Sequence, residues 1–159
     1  MSITQSPRIV GLARRIVAWP NRHERLAFVS APLMRIMARA AMRKARVAPA
    51  SDLPDLFAQW QRASPALADY RLTRITDETV YAEIHSQCAL RGSGDLGACH
   101  RMMAYDREVM RAIGGELVVL ASQATPGRIF CTVAMRRAGA SMADFTPAYR
   151  PNLQGASNP

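Results

Sequence analysis

The sequence has no apolar run approaching the roughly 18 residues that a helical membrane span requires. It has no C-x-x-C pair, and only one lysine, Lys44, among its 21 basic residues. Without the close cysteine pair, the commonest signature of a zinc site or a dithiol redox motif is missing. Aromatic residues make up only 6% of the chain, and no interleaved aromatic row accompanies the basic residues, so nothing marks a nucleic-acid-reading surface. No internal repeat is present. The opening stretch MSITQSPRIVGLARR lacks the uninterrupted apolar segment of a signal peptide, so the expected location is the cytoplasm. The scarcity of lysine beside abundant Arg and Ala hints at a GC-rich bacterial genome.

What is present fits one globular core. The 159 residues are 49% hydrophobic and 21% charged, ordinary proportions for a folded domain of this size. The net charge of +9 is unevenly placed, because residues 1–50 hold ten basic residues and one acid, Glu24, whereas residues 51–159 hold eleven of each. A basic helical arm over residues 1–50, an α+β core over 51–137 and a loose polar tail over 138–159 follow from this division and from the patterns below.

Ser6-Pro7 reads as the start of a helix with Ile9, Leu12, Ile16 and Trp19 near one face. Asn21 and Glu24 resemble a capping box opening a second helix, which Pro32 should break or kink. Beyond it Leu33, Ile36, Met37, Ala40 and Ala41 form a stripe flanked by Arg35, Arg39, Arg43 and Lys44. Ser51 and Asp52 can cap a third helix whose Leu53, Leu56, Phe57 and Trp60 fall at core-facing spacing. YRLTRIT and TVYAEIHS read as a β-hairpin. A glycine-rich loop at 89–97 leads into a long helix from about Asp95 to Ile113, closed by Gly114-Gly115. ELVVLAS and RIFCTVAMR then read as an antiparallel pair joined at Thr125-Pro126-Gly127. The expected fold is α+β: N-terminal helices packed on a small antiparallel sheet of about four strands, with one further long helix.

Chemistry, if the chain performs any, should centre on its three cysteines. Strand parity puts Cys88 on the apolar face if its strand runs that far, and Cys131 beside Ile129, Val133 and Met135. Cys99 lies on the side of its helix that carries Met102, Met103, Val109, Met110 and Ile113. Asp106 falls inside the same stripe, where a carboxylate needs a partner or a raised pKa. The plain alternatives are that the thiols only fill space and that Asp106 pairs with Arg101, Arg107 or Arg111. His100 is adjacent to Cys99 but turned about 100° round the helix, and Met103 suits either a core or an adaptable ligand pocket. Gly92, Gly94 and Gly97 spell G-x-G-x-x-G, but the following strands are antiparallel, which excludes a doubly wound nucleotide-binding sheet. The loop's N–H groups, with Arg91, remain a candidate anion holder.

The order of residues 80–136 is strand, Cys88, loop, Cys99 at a helix start, an acid in that helix, two strands, and Cys131 in the pattern C-x-V. It resembles the L-2-amino-thiazoline-4-carboxylic acid hydrolase family and, more distantly, small ligand-binding domains of the 4-vinyl reductase type. The resemblance implies opening of a cyclic amidine by water, giving a carbamoylated cysteine, with Cys88, Cys99 and Cys131 as the matching family cysteines. Family members carry an acid about three residues after the second cysteine, where this chain has Met102, and an aromatic two after the last, where it has Val133. Asp106 lies one turn beyond Met102.

Two functional expectations result. In the first, Cys99 or Cys88 is a nucleophile or ligand-contacting thiolate and Asp106 an acid/base. Cys131 completes that cluster, Arg91, Gly92 and Gly94 hold an anionic group, and His100 and Met103 contact the ligand. In the second, the chain is a non-catalytic module for a small-molecule ligand, attached through residues 7–46 to an anionic membrane surface, peripheral on the inner membrane, or to an acidic protein partner. Neither expects a cofactor; a metal bound by the cysteines is the lesser alternative.

Overall fold

The computed structural model describes residues 27–64 and 69–150. The helix expected from Ser6-Pro7, the Asn21–Glu24 capping box and residues 151–159 lie outside them. The elements run α1 (Ala27–Ala45), α2 (Leu53–Ala63), β1 (Tyr70–Ile75), β2 (Val80–Ile84), α3 (Leu96–Met102), α4 (Ala104–Ala112), β3 (Gly115–Ala121) and β4 (Cys131–Arg137). The fold is α+β, as the sequence patterning predicts: helices packed on one four-stranded sheet of order β1-β2-β4-β3, every neighbouring pair antiparallel.

Local sequence accounts for most of these boundaries. Asp52 caps α2 by accepting the Asp55 N–H at 2.8 Å, and Pro54 sits in the first turn, where a missing N–H costs nothing. Its buried face presents Leu56, Phe57 and Trp60 to the sheet. The alternation of β2 puts Val80, Ala82 and Ile84 inward, in register with Met135, Val133 and Cys131 of β4. Gly114 closes α4 at φ +85°, and Gly115 lets β3 start close to the core. A Cβ at Gly115 would lie 2.7 Å from Leu56 Cδ1 and 2.9 Å from Met110 Sδ.

Three local expectations are corrected. α1 runs unbroken through Pro32. Pro32 is exposed, so the single backbone bond it removes lies on the water side, while Ser30, Met34 and Ala38 anchor the helix inward along α4. The long helix after the glycine loop forms as two consecutive segments that meet at Met103, whose ψ of 2° ends α3 before α4 begins. The tail expected to be loose is held over residues 138–150. Arg136 grips Asp144 through two 2.7 Å bonds and lies 4.4 Å from the Phe145 ring centroid, and the Ala148 N–H donates to Val119 O at 2.8 Å. That last bond places the tail on the otherwise open edge of β3, a usual way to blunt an edge strand.

Asp106 is held by aromatic donors and not by Arg107 or Arg111. Its carboxylate is buried and accepts the Trp60 indole N–H at 2.9 Å and the Tyr70 hydroxyl at 3.2 Å, with the two rings stacked at 4.2 Å. Burial pushes the Asp106 carboxyl up, and the two donors only partly offset this. Burial and the neighbouring carboxylate keep the Tyr70 phenol protonated well above its usual range. Two of the arginines expected to pair with Asp106 hydrogen-bond elsewhere: Arg111 bonds Glu108 at 2.6 Å and Arg107 donates to His100 O at 2.7 Å. Asp106 is thus a polar tie between α4, α2 and β1.

Candidate functional site

The three cysteines come from the turn after β2, from α3 and from the start of β4, and one dipeptide gathers them. β3 ends at Ala121, and the chain turns inward so that Ser122 and Gln123 are almost wholly buried. The Ser122 hydroxyl donates to Cys99 Sγ at 3.0 Å and also touches the Cys131 thiol. The Gln123 N–H donates to Cys131 Sγ at 3.3 Å, and Gln123 Oε1 accepts the Cys88 N–H at 3.3 Å. Cys99 and Cys131 are 5% exposed, whereas Cys88 is half-buried. None of the three is in a disulfide.

Two placements differ from the parity argument. β2 ends at Ile84, so Cys88 lies in the following turn, where its sulfur accepts the Leu90 N–H at 3.4 Å. β4 begins at Cys131, which shares its buried face with Val133 and Met135, while Ile129 precedes the strand and is 64% exposed.

Burial dominates the thiol electrostatics. It pushes Cys99 up to about 12, against a partial pull downward from the Ser122 hydroxyl, and the other two cysteines add to the rise. Cys131 is raised for the same first reason, with the Gln123 N–H opposing. Both groups are therefore neutral thiols near pH 7. Among the described residues, no three His, Cys, Asp or Glu side chains are arranged to share a metal ion.

The expected anion holders are spent inside the fold. Arg91 gives Nε and Nη2 to Gln123 Oε1 at 2.9 and 2.7 Å, and Nη2 also reaches Ile129 O at 2.8 Å. The Gly92 and Gly94 N–H groups donate to Gln123 O and Ala124 O, each at 2.8 Å. The N-terminus of α3 is closed by its own Asp95, which accepts the Ala98 N–H at 2.7 Å. The loop is a clasp on the β3–β4 connection. Met103 is buried in the core.

A pocket of about 180 Å³ opens on one side of Cys99. Its walls are Leu96, Cys99, His100 and Arg107 from the helices, Leu117, Val118, Val119 and Ser122 from β3 and its end, and Pro147, Ala148 and Tyr149 from the tail. Tyr149 leans on the His100 ring at 4.9 Å between centroids. Burial, reinforced by Arg107 and Arg101, lowers His100 to about 4, so its imidazole is neutral near pH 7. Of the side chains singled out from sequence, Cys99 and His100 meet here; Asp106, Arg91, Gly92 and Gly94 do not line the pocket. Sequence reasoning missed Ser122, Gln123, Arg107 and the tail. A polar Ser-Gln pair after a strand looks like a turn, and only its burial reveals the role.

No protein-family model, no characterised protein and no solved structure matches this chain.

Proposed function

We propose that the chain is a small-molecule-binding domain whose ligand occupies the pocket between α3–α4, β3 and the tail, touching the Cys99 thiol without being attacked by it. The observation that carries this reading is a neutral thiol on the wall of a mostly apolar pocket of about 180 Å³. An apolar cavity of about 150 Å³ is enough to take benzene, so a single ring with a short substituent fits the space.

The hydrolytic reading implied by the family resemblance finds less support. It needs a thiolate and a base beside it. No carboxylate lines the pocket among the described residues, and Asp106 is engaged by Trp60 and Tyr70. His100 is the one neighbouring base on the pocket wall, and burial both lowers its pKa and raises that of Cys99, which disfavours transfer of the thiol proton to it.

The test is thermal melting with 2-phenylethanol as a neutral probe of the right size. The alcohol should raise the Tm of the wild type at millimolar concentration and leave Ala148→Phe, in which the pocket is filled, unmoved. Equal shifts in both proteins, or none in either, would refute the reading. Hydrolysis of an aminothiazoline carboxylate that disappears in Cys99→Ser would replace it with the catalytic one.

A second observation favours attachment to an anionic membrane surface. α1 contains no acid, and Phe28 and Ile36 are 76% and 61% exposed, with Val29, Leu33 and Met37 also outward. Arg35, Arg39, Arg43 and Lys44 follow on the exposed side of the same helix. Arg39 is paired with Glu108 at 2.7 Å, but an apolar patch flanked by Arg35, Arg43 and Lys44 still matches an acyl–headgroup boundary carrying anionic lipid. No helix among the described residues is long and apolar enough to cross a membrane, so the contact proposed is interfacial. Co-sedimentation should show at least about tenfold stronger binding to phosphatidylglycerol vesicles than to phosphatidylcholine vesicles, lost in Phe28→Ser/Ile36→Ser. Failure to bind, as expected if an acidic protein is the partner, or binding indifferent to both changes, defeats the idea.

A further inference from the structure

Arg107 is matched less fully than Arg136, Arg91 or Arg137. Arg136 is matched by Asp144, Arg91 by Gln123 and Ile129 O, and Arg137 by the carbonyls of Ala50 and Ser51. Arg107 is half-buried on the pocket wall and makes one hydrogen bond, from Nη2 to His100 O at 2.7 Å. No carboxylate pairs with it among the described residues. Asp106, its neighbour in sequence, is bound by Trp60 and Tyr70, and Arg35 and Arg111 lie close enough to add to the positive field. Burial lowers the Arg107 pKa, and the nearby Asp106 carboxylate opposes this only in part. A desolvated charge of this kind is costly unless something pairs with it.

We infer that the pocket selects an anionic ligand, a small monocarboxylate with a flat apolar body, and that Arg107 is its counter-charge. The inference rests on the pocket being a ligand site at all. A planar guanidinium offers a fork matched to a planar carboxylate, and one bond to His100 O leaves further N–H donors for it. Leu96, Leu117, Val118 and Val119 provide the apolar wall. Neutral His100 and the Tyr149 ring close the site without adding a competing charge.

Three probes of nearly equal size separate the possibilities: phenylacetate, 2-phenylethanol and phenethylamine, titrated into the full chain by calorimetry. Phenylacetate should bind about tenfold or more tightly than the alcohol, the range for one charge-assisted hydrogen-bonded contact, and the amine most weakly. Arg107→Gln should abolish the preference and still bind the alcohol, which also proves that the variant is folded, and Arg107→Lys should keep part of it. Equal affinity of acid and alcohol for the wild type, or an undiminished preference in Arg107→Gln, overturns the anion assignment and leaves the pocket standing. If none of the three binds, the pocket reading fails together with it.

Discussion

Gln123→Ala is expected to be the most damaging single substitution in the core, costing about 3–5 kcal/mol, because it strands several buried polar groups together. The wild-type amide is fully buried and donates Nε2 to Ile84 O at 3.0 Å and Ser86 O at 2.9 Å. Its Oε1 accepts from the Arg91 guanidinium and the Cys88 N–H. Alanine would leave the Ile84 and Ser86 carbonyls and the Cys88 N–H without this partner, and would remove the acceptor that holds Arg91. For a domain of this size the loss corresponds to a Tm lowered by roughly 10 °C or more. Gln123→Glu separates the two halves of the role. It preserves the acceptor for Arg91 but turns an oxygen toward Ile84 O and Ser86 O, so it too should destabilise. A melting curve for Gln123→Ala within about 1 kcal/mol of wild type would show that the Gln123 amide does not hold this turn together.

Cys99 should react with iodoacetamide at neutral pH about a thousandfold more slowly than an ordinary free thiol. Burial lifts its pKa from 9.0 to about 12, and the reactive species is the thiolate. A raised acid binds its proton more tightly in the folded chain, so the stability it contributes is complete below the unfolded value and is lost as pH climbs toward 12. Tyr105, raised to about 12 chiefly by burial and then by Asp106, acts in the same direction. The protein should therefore melt progressively earlier above about pH 9, and Cys99 should become modifiable in step with that loss. Rapid labelling at pH 7.5 in the intact fold would mean an activated nucleophile and would revive the hydrolytic reading.

The elements that formed as expected are those whose signals are local. Asp52 with Pro54 announces α2, the 80-82-84 alternation announces β2, and Gly114 announces the end of α4. Two of the cysteines, Cys99 and Cys131, sit in the interior where periodicity put them. The features that escaped depend on distant partners. Asp106 has its hydrogen bonds 46 and 36 residues away, at Trp60 and Tyr70. Nothing near it in sequence distinguishes that arrangement from pairing with the flanking arginines. Arg91 and Arg107 look alike as residue types; only the fold decides that one is bound to Gln123 and the other faces a pocket. The tail showed no periodicity because it is fixed by single contacts, Asp144 to Arg136 and Ala148 to Val119, and not by a repeating apolar face. The pocket was invisible for the same reason, since three of its walls come together only after the tail has crossed β3.

The most direct measurement is methyl NMR of the folded chain during titration with phenylacetate. Shifts confined to Leu96, Leu117, Val118, Val119 and Ala148, saturating together and abolished in Ala148→Phe, are the predicted result. An unchanged spectrum at saturating probe, or shifts centred on α1 in place of the Cys99 pocket, would contradict it.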